Sequence, residues 1–209
     1  MKIFKYDIRL NTFFKKGLPP IDDRFGVYFV TGRQGSGKTY YAIYLALQQV
    51  NFEPEQVKIK TNIHSLKIPG AIIEYFTNIK DVYFDNDNKV IYIIDEVARK
   101  YNKNSKTDDQ FYAFLNQCRK MKRICILITQ EWRELPMWIR RPAKFMITTK
   151  KTPVLNIFGL FTSIVGDAEN MVFDKEEGEY NCPPLKYIIY KRNQKIADMY
   201  DTFEPINML

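Results

Sequence analysis

Three stretches of uninterrupted apolar residues punctuate the chain: Val27, Tyr28, Phe29 and Val30; Val90, Ile91, Tyr92, Ile93 and Ile94; and Ile124, Cys125, Ile126, Leu127 and Ile128. Runs of this length, rich in β-branched residues, read as strands covered on both faces, the pattern of a parallel sheet. Residues 56–61 alternate instead, as a strand with one wet face does, and residues 143–149 give a further strand. Between the runs the period changes. Residues 40–49 lack Gly and Pro and are apolar at helical spacing, and residues 110–121 set Phe111, Phe114, Leu115 and Cys118 three or four apart. Strands alternating with helices predict an α/β fold with a mainly parallel central sheet flanked by helices.

The remaining segments are less regular. Residues 71–76 and the stretch to 87 fit neither period, with a turn signal at residues 85–88, and residues 131–138 read as helical or turn-like. Residues 99–109 hold few side chains able to enter a core and predict a mobile loop. After a break at residues 178–184, residues 185–190 and 196–200 predict a terminal β-hairpin around Arg192, Asn193 and Gln194. Residues 1–23, with Pro19 and Pro20, predict an arm or edge segment. At 209 residues and 45% apolar content, the expectation is a single domain with its core over residues 24–150 and a C-terminal extension over 151–209. No internal repeat is present.

The first apolar run breaks into a glycine-rich loop. Residues 32–39, Gly-Arg-Gln-Gly-Ser-Gly-Lys-Thr, match G-x-x-x-x-G-K-[ST] at each required position. In this motif the backbone from Gly32 through Arg33, Gln34, Gly35, Ser36 and Gly37 curls so that N–H groups face one anion. Lys38 reaches the outer phosphates, Thr39 ligates magnesium, and Tyr40 is counted with them as a nucleotide-binding position. A helix starting near Gly37 aims its positive N-terminus at the same phosphates. The strand before and the helix after weigh against a merely glycine-rich turn.

The other two runs end in polar residues. Asp95 and Glu96 follow the second, at the carboxyl end of a buried strand, where open α/β sheets bind ligands. Asp95 is expected to hold magnesium beside Thr39, and Glu96 to orient a water for attack on a γ-phosphate. Gln130 ends the third run, and its amide can hydrogen-bond both the γ-phosphate and that water. The implied cofactors are ATP and Mg2+.

Net charge is +8, and it is unevenly placed. Residues 99–151 carry fourteen Lys plus Arg against four Asp plus Glu, so the rest of the chain is slightly acidic. Such a regional excess reads as a footprint for a polyanion, with Lys100, Lys103 and Lys106 as candidate contacts to a nucleic-acid backbone. The bland alternative is a solvated surface. Four cations within residues 119–123 also suit a helix C-terminus. Cys118, Cys125 and Cys182 show no metal spacing and read as reduced thiols of an intracellular protein. His64, the sole histidine, has no acidic or cysteine cluster beside it and reads as structural. The first residues lack a signal peptide, and the apolar stretch 154–166 is too short to span a bilayer. A soluble protein is expected, with a peripheral membrane contact at 154–166 left open.

Taken together, residues 32–39, 91–96 and 126–130 resemble the FtsK/HerA superfamily of P-loop ATPases, a RecA-like fold. In that family a strand ending in glutamine lies between those bearing the two Walker motifs. The resemblance covers residues 24–150 and implies that Gln130 lies between Lys38 and Asp95. It further implies a homo-oligomeric ring, a hexamer or pentamer, that hydrolyses ATP at subunit interfaces and drives DNA through its centre. Residues 114–119, ending eleven residues before Gln130, look like the helix that presents an arginine to a neighbouring subunit, which makes Arg119 the candidate finger. Arg123, Arg140 and Arg141 are its rivals. The Arg140-Arg141 pair and the closing Tyr200-Asp201-Thr202 look most like viral members: genome-packaging ATPases of tailless viruses and zonula occludens toxin-like phage assembly proteins. The phage proteins continue into a membrane span, absent here, so the resemblance favours packaging and implies viral capsid or membrane vertex proteins as partners and a place in the host cytoplasm or the virion. A nucleotide switch with slow turnover is the competing class.

Overall fold

The chain runs β1 (Ile8–Leu10), β2 (Gly26–Thr31), α1 (Lys38–Phe52), β3 (Val57–Thr61), β4 (Ala71–Tyr75), β5 (Val90–Ile94), α2 (Val97–Lys100), α3 (Asp109–Gln117), β6 (Ile124–Thr129), α4 (Met137–Arg140), β7 (Ala143–Lys150), β8 (Leu160–Asp167), β9 (Val172–Asp174), β10 (Glu179–Asn181), β11 (Pro184–Lys191) and α5 (Gln194–Ala197). This computed structural model describes residues 8–10, 25–52, 56–83, 87–151, 160–176 and 178–204. Most of the arm at 1–23, residues 85 and 86 of the turn, and residues 154–159 of the apolar stretch lie outside them.

Each continuous apolar run becomes a central strand because alternate side chains enter two cores. Tyr28 and Val30 of β2 face one core, with Val27 and Phe29 facing the other. In β5, Ile91 and Ile93 oppose Tyr92 and Ile94; in β6, Ile126 and Ile128 oppose Cys125 and Leu127. The first core is closed by α1 through Tyr41, Ala42, Ile43 and Ala46. The second is closed by α3 through Phe111, Phe114 and Leu115. Within this second core Phe29 meets Trp132 edge to face, at 4.8 Å and 86°. Burying each such ring contributes about 1.5–3 kcal/mol.

Nine strands form one sheet in the order β1-β11-β8-β7-β2-β6-β5-β3-β4. From β7 to β4 every pairing is parallel. β6 lies between β2 and β5, the placement expected for the strand ending in glutamine. The ambiguous residues 71–76 resolve into β4, a parallel edge strand, and Ile8–Leu10 forms the other edge beside β11.

The C-terminal antiparallel hairpin is present, with a different second arm. β11 pairs with β8, and the small β9–β10 ribbon lies between them in sequence. Residues 196–200 make no strand. Asn193 instead accepts a hydrogen bond from the Lys195 N–H at 2.9 Å and caps α5, an N-cap role that outweighs the apolar pattern of the residues after it. The helix predicted at 110–121 also ends early, at Gln117. A turn closes it through the Arg123 N–H to the Cys118 carbonyl at 2.7 Å, with Lys122 at φ 53°.

The predicted mobile loop at 99–109 is anchored at both ends. Its first residues belong to α2, and the Tyr83 and Tyr101 hydroxyls both donate to Asp108 Oδ2, at 2.6 and 2.7 Å. Asp108 also caps α3 by accepting from the Phe111 N–H at 3.1 Å.

Candidate active site

The C-terminal ends of β2, β3, β5 and β6 open into a cleft of about 700 Å³, lined by the phosphate loop, Asp95, Glu96, Gln130 and residues 200–204. That volume suits a small ligand. A smaller cavity of about 280 Å³ lies at the opposite strand ends, beside Lys58, Asp87 and Lys122, away from these groups.

Loop shape follows from its glycines. Gly32 has φ 147°, and a Cβ there would lie 2.6 Å from Ser36 Oγ and clash with the Thr149 carbonyl oxygen. Only glycine fits such a conformation and approach. The Thr149 hydroxyl spends its hydrogen on the Thr31 carbonyl at 3.1 Å, so Ser36 must be the donor in its 2.7 Å bond to Thr149 Oγ1. This buried pair pins the loop to β7. The Gly32 N–H donates to the Gln130 carbonyl at 3.1 Å and pins it to β6. Lys38 Nζ donates to the Arg33 carbonyl across the loop at 3.2 Å.

Asp95 is held from every side. Its Oδ2 accepts from the Thr39 hydroxyl at 3.0 Å and its Oδ1 from the Glu96 N–H at 2.7 Å. Its backbone is clasped by Asn62, a residue with no motif to mark it, which donates to the Asp95 carbonyl at 3.0 Å and accepts from its N–H at 2.8 Å. Burial pushes the Asp95 carboxyl above its usual range, against the Thr39 and Glu96 hydrogen bonds; burial likewise pulls the Lys38 ammonium down, against the attraction of Asp95 and Glu96. A divalent cation would relieve the first and a polyphosphate the second. The buried carboxylate–hydroxyl pair suits a magnesium ion, and the glycine cradle with Lys38 suits phosphates, so the residues present fit Mg2+ and ATP.

Glu96 sits in the left-handed region, at φ 53° and ψ 41°, and its carboxylate pairs with Arg99. Strained non-glycine backbone of this kind costs of order 1–3 kcal/mol and gathers at functional sites. Gln130 is exposed at the tip of β6 and lines the cleft.

Not every predicted residue joins the site. Tyr40 is buried, stacked on Tyr190 at 6.0 Å, with its hydroxyl accepting from the Asn193 N–H at 2.8 Å. Its ring therefore serves the core, and only its backbone is left for phosphate. Arg123 is 1% exposed, its Nε bonded to the Asp87 carbonyl at 2.8 Å and its guanidinium lying against Tyr92 and Phe114. Arg140 is 5% exposed, against Trp132. Burial removes both as arginines able to reach a neighbour. Arg141 and Arg119 are exposed, and Arg119 lies 3.9 Å from Glu169. Because Arg119 precedes the first residue of β6 while Gln130 follows its last, the strand's length, about 20 Å, separates it from its own cleft. Lys103 and Lys106 are exposed on the anchored loop, and Lys100 is half-buried at the end of α2.

This architecture of phosphate loop, acidic strand end and parallel sheet defines a P-loop nucleotide hydrolase. A family model, ATPase family associated with various cellular activities (AAA), matches residues 28–152. The chain belongs to that family and is an ATP-hydrolysing enzyme. Among solved structures it resembles the N-terminal domain of zonular occludens toxin from Neisseria meningitidis, with a TM-score of 0.56 and 21% identity over 84% of this chain and 98% of that one. It also resembles the genome packaging NTPase B204 from Sulfolobus turreted icosahedral virus 2 in complex with ATP-gammaS, with a TM-score of 0.54 and 12% identity over 78% and 98% of the two chains. No curated protein sequence matches closely enough to add a relative. At these identities the likenesses speak for the fold. No helix among the described residues is long and apolar enough to cross a membrane.

Proposed function

We propose that the chain is a motor of FtsK/HerA type that couples ATP hydrolysis to movement or packaging of viral DNA, acting as a ring of identical subunits. The observation that carries this reading is the order β2-β6-β5, which sets Gln130 between Lys38 and the Asp95–Glu96 pair. Lys38 and the loop N–H groups would hold the β- and γ-phosphates, and Thr39 and Asp95 would hold a magnesium ion, which when bound would supply positive charge beside the transferred phosphoryl group. Gln130 orients the attacking water and Glu96 accepts its proton. Arg119 serves the site of an adjacent subunit, a reading supported by its distance from its own cleft. Lys100, Lys103 and Lys106, in the basic stretch just beyond the acidic strand end, contact the DNA backbone.

The resemblance to the zonular occludens toxin domain favours one second reading, an ATP-dependent phage assembly or extrusion protein. Multiple-turnover phosphate release, measured alone and with single- and double-stranded DNA, separates the two. Stimulation by DNA supports the motor, whereas turnover indifferent to both forms moves the assignment to assembly.

A further inference from the structure

From the phosphate loop at the end of β2 the sheet runs two ways. On one side, through β6 and β5 to β3, lie Gln130, Asp95, Glu96 and an acidic wall that includes Asp201 and Glu204. On the other it runs through β7 and β8 to β11. β7 is parallel to β2, and β8 is antiparallel to both β7 and β11, so the end of β7, the start of β8 and the end of β11 share one rim with the phosphate loop. That rim is basic. Lys150 and Lys191 close β7 and β11, with Lys151 and Arg192 just beyond, and all four are exposed. No acidic side chain stands among the described residues 147–151, 160–163 and 187–193.

A triphosphate whose γ end meets Gln130 and the Asp95–Glu96 pair carries its nucleoside the other way, past the loop and towards this second rim. The cations there suit the α-phosphate end that leads to it. The surface it reaches is also aromatic. Phe161 packs against the phosphate loop, its Cδ1 3.5 Å from the point that a Cβ on Gly37 would occupy. Tyr190 stacks on Phe161 at 5.9 Å and 20°, and on Tyr40 at 6.0 Å and 7°. Tyr40 and Tyr190 are 4% and 6% exposed whereas Phe161 is half-buried, so of the three rings Phe161 is the one that still offers surface to a ligand. A base laid on it extends an aromatic stack that the core has already built.

We propose that the nucleoside of ATP is received on the rim formed by β7, β8 and β11, with Phe161 supplying the ring on which the base lies. The proposal rests on the reading of the phosphate loop as the seat of a triphosphate. Stacking uses the π face that every base shares, so it is tolerant of base identity. ATP and GTP therefore bind with similar affinity.

Photolabelling of the parent chain with 8-azido-ATP and Mg2+, mapped by peptide mass spectrometry, tests the place. Adducts that excess ATP prevents should fall on residues 160–162 or 190–192. Adducts on any other segment, or none that ATP prevents, overturn the assignment. Calorimetric binding of ATP, GTP and inorganic tripolyphosphate, each with Mg2+, tests the ring. Phe161→Leu keeps an apolar side chain against Gly37 and Tyr190 but removes the π face. With a melting temperature like that of the parent chain, it should weaken ATP and GTP roughly five- to a hundredfold and leave tripolyphosphate within about twofold, while Phe161→Trp keeps nucleotide affinity. Unchanged ATP affinity in Phe161→Leu overturns the stacking role, and so does an equal loss for tripolyphosphate. Lys38→Ala checks the phosphate seat separately and should weaken all three ligands. If it binds them as the parent chain does, the phosphate-loop reading itself fails and takes this inference with it.

Discussion

Asn62 grips the backbone of Asp95 from both directions, its amide nitrogen 3.0 Å from the Asp95 carbonyl oxygen and its amide oxygen 2.8 Å from the Asp95 nitrogen. Both residues are buried, so water cannot replace either bond. The amide thus fixes where β5 ends and which way the Asp95 carboxylate points. Asn62→Ala should strand two backbone groups at about 1–3 kcal/mol each, read as a fall in melting temperature of roughly 2–4 °C per kcal/mol. The concentration of Mg2+ needed for half-maximal ATPase activity should rise in parallel. An unchanged melting curve with unchanged Mg2+ dependence would return Asn62 to ordinary packing.

Lys38 and Glu96 should separate binding from chemistry. Lys38→Ala should lose nucleotide affinity and activity together, the result expected of an ammonium that contacts bound phosphate. Glu96→Gln keeps ATP affinity and loses roughly 10²–10⁴ in kcat, the range expected for a general base. Parent-like turnover in Glu96→Gln would falsify the assignment of the base.

The sequence carried most of this site because its parts are local. The phosphate loop, Asp95, Glu96 and Gln130 each follow an unbroken apolar run, and such runs become central strands whatever else surrounds them. What stayed hidden depends on distant partners. Arg123 sits in a run of cations that reads as a solvated helix end, yet Tyr92 and Phe114 bury it. Asn62 is an unremarked amide until β5 is laid beside β3. β8 shows only two fully buried positions in eight, so nothing in its own pattern names β11 as its partner. The Glu204 carboxylate, which accepts from the N–H groups of His64 and Ser65 after β3, joins residues about 140 apart in sequence, a contact no local pattern encodes.

Asp108 should make the stability of the basic loop pH-dependent. Burial raises its pKa, but hydrogen bonds from Tyr83, Tyr101 and the start of α3 outweigh burial and leave it below the usual value. A carboxyl with a depressed folded-state pKa contributes stability that is complete above its unfolded value, near 4, and lost as pH falls through the folded value. Asp108→Asn keeps a capping oxygen but exchanges the charged acceptor of the Tyr83 and Tyr101 hydroxyls for a neutral one, so it should destabilise the chain by about 1 kcal/mol near neutrality, the difference between charge-assisted and neutral hydrogen bonds. The difference should shrink below about pH 4. A gap between the two melting curves that is constant from pH 7 to pH 3 would rule out the carboxylate as its source.

If the anchored loop contacts nucleic acid, its lysines displace counterions from phosphates. Each contact steepens the fall of log K with log salt by about 0.7–0.9. Replacing Lys100, Lys103 and Lys106 with Ala should lower DNA affinity and flatten the slope by up to roughly three times that amount. A slope equal to that of the parent chain assigns these lysines to solvation.

Arg119 offers the sharpest test of assembly. It sits beyond the start of β6, whereas the phosphate loop lies past the C-terminal end of β2, so one subunit cannot bring the two together without unravelling the sheet between them. A guanidinium arriving from a neighbour would stabilise charge on the γ-phosphate, an effect worth ~10³ to 10⁵ in rate. Its ion pair with Glu169 does not oppose this, since exposed pairs contribute only about 0–1 kcal/mol. Arg119→Ala and Lys38→Ala chains should each be nearly inactive alone. Mixed under conditions that allow subunit exchange, some interfaces join an intact Lys38 from one chain to an intact Arg119 from the other, and part of the activity should return. Arg141, the other exposed candidate, is tested the same way, by mixing Arg141→Ala with Lys38→Ala. Mixed oligomers confirmed by mass that show no recovery with Arg119→Ala would mean that Arg119 does not act across the interface.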